Sequence, residues 1–356
     1  MTSLRKIAEL AGVSRMTVSR ALNNHPHVRP EMAERIRELA EICHYRPNRL
    51  TQSLFSGKSQ TIGCVVPSLD STYFDRILNG VVETAYAQSY QVMIIQTHQN
   101  MQLVRAALQA FVDRRVDGVL LAHAMMFDVP SRSLLELRSN GISALSIDAS
   151  SMHGMVDAVR TDEKGQAQLA VDHLYQQGHR RIACLMPKGD HRQSSMRTLA
   201  LRDALERRQL PADALLEVNA HNPLEAMPWG EWMRALFAFV PTPTAVICFN
   251  DEFAAPLLRE MVLAGLHVPQ DVSVLGFGNL CYGPFLVPAL TTVEQHPEKI
   301  GQLAVERLLE IIEQAADPME EDRPHKAHAL LVPPTLIERE SCMPPPKHKV
   351  VLPWAR

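Results

Sequence analysis

Apolar positions at the start of the chain recur as Leu4, Ile7, Ala8 and Ala11, the i, i+3, i+4, i+7 spacing that predicts one buried helical face. Gly12-Val13-Ser14 then breaks the pattern. The glycine can take positive φ, the valine plugs the core, and the serine can accept from the N–H groups that open the next helix. In that helix Val18, Ala21 and Leu22 face inward, leaving Arg15, Met16, Thr17, Ser19, Arg20 and Asn23 on the outer and N-terminal faces. A third helix opens on Pro30, with Glu31 complementing its dipole and Met32, Ile36, Leu39 and Cys43 as its apolar stripe. Helices joined by so tight a turn read as a helix-turn-helix, in which the outer face of the second helix meets base edges and phosphates. From Pro47 to Gly57 the chain has room for a short helix, Asn48 to Phe55, too short to be stable alone in water. This segment reads as a hinge that binding orders, or else as a linker whose Leu54 and Phe55 pack on the body.

Beyond Gln60 the pattern changes to short, continuous apolar runs separated by amphipathic stretches: Thr61–Pro67, Tyr90–Thr97, Val116–His123 and Ile142–Asp148. The same rhythm returns through Arg181–Pro187, Leu215–Ala220, Thr244–Asn250 and Asp271–Gly278. Continuous apolarity marks strands buried on both faces, and their alternation with helices implies parallel sheets of βαβ units. The fold class is therefore α plus α/β: a helix-turn-helix headpiece joined by a hinge helix to doubly wound α/β lobes. Ligands belong in a cleft at the carboxyl ends of such strands. The tail from Cys342 holds Pro344-Pro345-Pro346 and no heptad repeat, so it offers no tetramerising helix and a homodimer is the default.

Charge sharpens this division. The whole chain carries a net charge of −3, which by itself argues against a nucleic-acid binder. Residues 1–60, however, hold ten Lys and Arg against five Asp and Glu, a net of +5, so the remainder is −8. The basic end is directed toward phosphate while the acidic body is repelled from it. No apolar run approaches the roughly 20 residues of a membrane span, and the chain opens without a signal-peptide pattern, so no membrane partner and a cytoplasmic location are expected. The cysteines (Cys43, Cys64, Cys184, Cys248, Cys281, Cys342) are scattered singly, which suits reduced thiols better than disulfides or zinc ligands. His325-Lys326-Ala327-His328 pairs two histidines without a third ligand nearby in sequence, so no metal or cofactor is assigned.

The segments Ile7-Ala8-Glu9-Leu10-Ala11-Gly12-Val13-Ser14 and Thr17-Val18-Ser19-Arg20-Ala21-Leu22-Asn23 resemble the headpiece signature of the LacI/GalR repressors. Further matches fall in that family's order: Tyr45-Arg46-Pro47-Asn48-Arg49 with Leu54, Ile62-Gly63, Val116-Asp117-Gly118-Val119, Asn250-Asp251, the run Val268 to Phe277, and Pro288-Ala289-Leu290-Thr291-Thr292-Val293. The resemblance spans about Leu4 to Ser341 and implies lobes of periplasmic-binding-protein type. The expected parts are a headpiece at 1–46, a hinge at 47–60, a body at 61–341 and a tail at 342–356. Within the body the first lobe takes about 61–160 and 294–322, the second about 163–291 and 325–341. The chain then crosses between lobes near Arg160–Glu163, Thr291–Glu294 and Asp322–His325.

Base reading falls to Arg15, Met16 and above all Arg20, because arginine can donate two bonds to guanine. Ser14, Thr17, Ser19, Asn23 and His27 suit positioning contacts, and the resemblance implies backbone contacts at Tyr45 and Asn48. It also implies that Leu54 wedges into the central base step when two hinges pair over the minor groove. For the cleft, the resemblance carries over Tyr73, Phe74, Asp148, Arg192, Arg197, His221 and Asn250 as effector-binding residues. Two anchors depart from the family pattern. Its arginine-leucine-alanine-glycine run is Thr198-Leu199-Ala200-Leu201 here, with Arg197 one place earlier, and its glycine-tyrosine/phenylalanine-aspartate run ends on Gly278. Losing the aspartate while keeping Arg192, Arg197 and His221 points toward a sugar acid or sugar phosphate rather than a neutral sugar. Alternatively, Arg197 faces solvent, and Asp148, Asn250 and Asp251 only cap turns.

The function expected is that of a transcriptional regulator, most simply a repressor, which binds double-stranded operator DNA and is controlled by a small carbohydrate-type effector. The rival classes are an enzyme on doubly wound sheets and a transport binding protein. Against an enzyme, the chain has no P-loop and no G-x-S-x-G, and Gly276-Phe277-Gly278 continues to Cys281 where a dinucleotide-binding fingerprint needs a third glycine. Against a transport protein stand the headpiece and the missing export pattern.

Overall fold

A computed structural model describes residues 4–22, 27–45, 58–98, 100–122, 129–148, 155–187, 192–210, 215–218, 233–234, 236–238, 242–315 and 327–346. The chain divides into a unit up to Ser59 and a unit from Gln60 onward.

In the first unit, α1 (Leu4–Ala11), α2 (Arg15–Leu22) and α3 (Pro30–Ile42) enclose one small core. Ile7, Ala8, Ala11, Val18 and Ala21 are buried in it, as the helical spacing predicts. On α3 the buried line is Ala33, Ile36 and Ala40, with Met32, Leu39 and Cys43 only partly covered at its margins. Small residues take the centre because they allow three short helices to approach closely; the longer side chains close the edges.

The second unit holds two lobes of like topology. The first contains β1 (Thr61–Val66), α4 (Thr72–Ala87), β2 (Gln91–Gln96), α5 (Met101–Asp113), β3 (Gly118–Ala122), α6 (Ser131–Ser139), β4 (Ser143–Ile147) and β5 (Asp157–Thr161). The second contains α7 (Glu163–Gln176), β6 (Ile182–Pro187), α8 (Arg192–Arg207), β7 (Leu215–Val218), β8 (Ala245–Cys248), α9 (Asp251–Leu263), β9 (Ser273–Phe277) and β10 (Thr291–Glu294). The chain then returns as α10 (Pro297–Ala315) and β11 (Ala329–Val332) and finishes on β12 (Thr335–Ile337). The six-stranded sheets run β11-β5-β4-β3-β1-β2 and β12-β10-β9-β8-β6-β7. All neighbours pair in parallel except β12, which runs antiparallel to β10.

Each sheet is buried on both faces, which explains the uninterrupted apolar runs. Helices α4 and α10 cover one face of the first sheet and meet almost backbone to backbone. A Cβ at Gly80 would stand 2.0 Å from the Glu298 carbonyl oxygen, and one at Gly301 would stand 2.1 Å from that of Ile77. Only glycine fits at that crossing.

The chain passes from the first sheet to the second lobe near Thr161–Glu163 and leaves the second sheet after Glu294. Strand β11 pairs with β5 in the first sheet and β12 with β10 in the second, so the chain also passes between the sheets at Pro333-Pro334; the crossing expected at Asp322–His325 lies outside the described residues. β11 is an edge strand with Leu330 and Leu331 both exposed, so it carries none of the apolar signal of a central strand. The buried Asp157 holds it in place by accepting from the His328 N–H at 2.9 Å. Past Cys342 the chain still meets the second lobe: the Met343 carbonyl accepts from the Ser273 hydroxyl and lies 2.9 Å from His179 Nε2. Burial in this contact lowers His179 to a pKa of about 4, so it is neutral at physiological pH. Among the described residues, no helix is long and apolar enough to cross a membrane.

Candidate DNA-reading face and interlobe cleft

The turn between α1 and α2 is built as its residues require. Gly12 takes φ +66°, Val13 N–H donates to the Ala8 carbonyl at 3.0 Å, and Ser14 Oγ accepts from Thr17 N–H at 3.1 Å. Ser14 is therefore the cap of α2, which ties Thr17 to it through both backbone and hydroxyl. Val18 and Ala21 anchor the inner face, while Arg15, Met16 and Arg20 are exposed and Thr17 and Ser19 half-buried. Met16 is 64% exposed, unusual for an apolar side chain with nothing to cover. The first turn of α2 holds no acidic residue, so nothing there opposes an approaching phosphate. His27 is exposed; Tyr45 packs partly against the core, and burial raises its phenol pKa. Asn23, Asn48 and Leu54 lie outside the described residues.

At the carboxyl ends of the strands, groups from the two lobes converge. Asp148 ends β4 at φ +55°, with Thr161 N–H 3.5 Å from its Oδ1. Glu163 opens α7 just past the first crossing, and Arg197 reaches it from α8. The guanidinium donates to both Glu163 oxygens, at 3.2 and 3.1 Å, and to the Phe249 carbonyl at 2.6 Å. It lies between the Phe249 and Phe277 rings, 4.8 and 4.9 Å from their centroids, with 2% of its surface exposed. Arg197, one place before the family run, does not face solvent. Helix periodicity turns position 197 inward with Ala200, Leu201 and Ala204, while Leu199 is exposed.

These groups shift one another. Burial above all, with the nearby Glu163 charge and against the lowering pull of Arg197, raises Asp148 to a pKa of about 7. Tyr73, in the first turn of α4, is pushed well above the ordinary phenol value by burial and then by Asp148 and Glu163. The cluster offers hydroxyl, carboxyl and aromatic groups, with its one described guanidinium already paired. The Thr161 hydroxyl and both ends of the Gln166 amide are buried there without a hydrogen-bond partner among the described residues.

The other expected cleft residues divide. Phe74 is buried in the first lobe's core and meets Tyr73 edge to face. Asn250 caps α9, accepting from Phe253 N–H at 3.0 Å. Gly278 follows β9 at φ +123°, a backbone conformation that L side chains rarely adopt. The Arg192 side chain and all of His221 lie outside the described residues.

Sequence alone does not single out the residues that tie the lobes together. Arg76 on α4 donates to the Gly278 carbonyl at 2.9 Å and to Glu294 at 3.1 Å, and Thr72 donates to Glu252 at 3.0 Å. Within the second lobe Asn279 donates to Glu294 at 2.8 Å, and Asp251 accepts from Leu280 N–H and the Thr292 hydroxyl, at 3.0 and 2.7 Å. Burial lifts Asp251 to a pKa of about 6. A separate groove of about 500 Å³, lined by Val262, Leu266, Pro269, Val287 and Pro288, holds none of this chemistry.

Residues 3–48 match the bacterial regulatory proteins of the lacI family, and residues 171–342 match a periplasmic binding protein-like domain. The chain is 30% identical to the HTH-type transcriptional repressor PurR of Pectobacterium carotovorum subsp. carotovorum (strain PC1), over 96% of this chain and 97% of that protein. It is 27% identical to the ribose operon repressor of Escherichia coli (strain K12), over 96% of this chain and all of that one. The lac repressor dimer bound to operator and the anti-inducer ONPF is similar in structure, with a TM-score of 0.80 at 25% identity, covering 96% of this chain and 99% of that one. A ribose-bound transcriptional regulator from Enterococcus faecium has a TM-score of 0.66 at 26% identity, covering 80% and 99%.

Proposed function

The chain belongs to the lacI family of bacterial regulatory proteins and is a DNA-binding transcriptional repressor with a ligand-binding body, and we propose that its operator contacts and its effector site are the two groups of residues described above. It acts in the cytoplasm as a homodimer on a roughly palindromic operator. The observation that carries the DNA reading is the split face of α2: Val18 and Ala21 are fully buried while Arg15, Met16 and Arg20 stand outside. Arg20 reads a guanine edge, Arg15 adds a second base contact and Met16 apolar shape, and Ser14, Thr17, Ser19, His27 and Tyr45 fix position. Asn23, Asn48 and the Leu54 wedge complete the contact.

The effector binds at the strand ends between the lobes, where Tyr73, Asp148 and Asn250 meet it. Lobe rearrangement then changes hinge pairing and operator affinity together. A solved relative from Enterococcus faecium holds bound ribose, which supports a carbohydrate-type effector. Arg197 is paired to Glu163, so an acidic sugar would depend on Arg192 and His221 for its cations. Selection of binding sites from random DNA tests the interface. Wild type enriches one palindromic motif, and Arg20→Ala loses preference at one position per half-site; an unchanged motif and affinity would assign the wrong face.

A further inference from the structure

We propose that the first lobe carries a second DNA-facing surface, on which Arg114, Arg115 and Arg138 attract duplex phosphates without reading sequence. In a parallel α/β lobe each helix returns the chain to the start of the next strand, so helix ends gather where strands begin. Here β1, β3 and β4 begin side by side. Gln60 N–H donates to the Asp117 carboxylate and Asp117 N–H to the Thr61 carbonyl, both at 2.9 Å, and Ser143 N–H to the Asp117 carbonyl at 3.4 Å. Helix α5 runs into β3 through Arg114 and Arg115, and α6 carries Arg138 in its last turn before β4. The three arginines therefore stand at the end of the lobe where the chain arrives from the DNA-reading unit, opposite the strand ends that form the cleft.

Their charge is uncommitted. All three are exposed; among the described residues none is in an ion pair, and Arg114 only reaches back to the Ala110 carbonyl, at 3.3 Å. Elsewhere in the body arginines take carboxylates, as in Arg207–Asp203, Arg208–Asp172 and Arg307–Asp157. From residue 61 onward the chain has a net charge of −8, so partners are in ample supply. The acids near these three point elsewhere: Asp117 is buried on Gln60, Asp113 accepts from Gln109 at 3.0 Å, and Glu136 lies about 200° around α6 from Arg138. Exposed, unpaired guanidinium groups on an otherwise acidic body suit a polyanion, and the polyanion this chain binds is duplex DNA. A cation at a helix C-terminus also complements the helix dipole. That role shows in stability, whereas phosphate attraction shows in salt dependence.

The full-length protein is titrated across a salt series with two duplexes of equal length, one carrying the motif selected from random DNA and one of random sequence. Replacing Arg114, Arg115 and Arg138 together by Gln lowers affinity for both duplexes by a similar factor, about tenfold at low salt, and flattens the log–log salt slope by about 1 to 3. The selected motif is unchanged, the triple Lys variant binds as wild type, and Arg202→Gln on α8 of the second lobe has no effect. Wild-type affinity and salt slope in a triple Gln variant that melts as wild type would overturn the proposal, as would a loss confined to the selected motif. Should the triple variant melt early, Arg115→Gln decides alone, because its side chain makes no hydrogen bond among the described residues; a slope flattened by about 0.9 supports the proposal and an unchanged slope overturns it.

Discussion

Arg20 and Arg197 carry the same side chain to opposite ends. On α2 the guanidinium of Arg20 is exposed, above a helix whose inner face is filled by Val18 and Ala21. On the cleft floor Arg197 is sealed among Glu163, Phe249 and Phe277. An exposed arginine keeps its donors for a partner and contributes little to folding, whereas a buried one must find its counter-charge inside the protein before folding is favourable. The two regions therefore fail differently when altered: one loses binding, the other loses the fold.

The largest expected effect follows from the buried end. Arg197→Ala leaves Glu163 in the interior without its cation, a loss of about 3–5 kcal/mol, read as a lower midpoint in chemical denaturation. Arg20→Ala, by contrast, lowers operator affinity by about 1–3 kcal/mol with the denaturation midpoint of the body unchanged. If Arg20→Ala destabilised the protein or Arg197→Ala left it intact, the contrast would collapse. Smaller again is Ser14→Ala, which removes the cap from α2 and lowers headpiece stability by about 1 kcal/mol, seen as earlier loss of headpiece helicity on heating.

The mildest variant sharpens the comparison through pH. An acid whose pKa is raised on folding contributes most below its unfolded value and loses that contribution as pH rises through the folded one. For Asp148 the window runs from near 3.8 to about 7. Asp148→Asn should melt above wild type at pH 8, with the gap closing toward pH 4. A gap that is constant across that range would show that the Asp148 carboxyl is not held up by its surroundings.

The same contrast explains what could be read from sequence. The headpiece is built from contacts within a few residues, so the spacing of Leu4, Ile7, Ala8 and Ala11 and the Gly12-Val13-Ser14 break disclose its helices and turn. Central strands such as β1 and β3 are equally legible, because burial on both faces leaves continuous apolar runs. β5 is not: the buried but charged Asp157 and the half-buried Arg160 interrupt the run. β11 is hidden for a related reason, since an edge strand with Leu330 and Leu331 exposed looks like loop, and its partner β5 lies far away in sequence. Arg197 could be suspected as buried from the apolar positions around it on α8, a residue that then demands a carboxylate. That the carboxylate is Glu163, and that Arg76 reaches Gly278 and Glu294, depends on how separate helices pack.

We infer that the cleft and the headpiece are energetically linked, so that what binds at one is felt at the other. Operator affinity of the full-length protein, titrated with and without a neutral sugar that raises its melting temperature, tests this most directly. The account predicts a change of about fivefold or more in operator affinity, and the same factor in sugar affinity when operator is present. A sugar that stabilises the body yet leaves operator affinity untouched would contradict it.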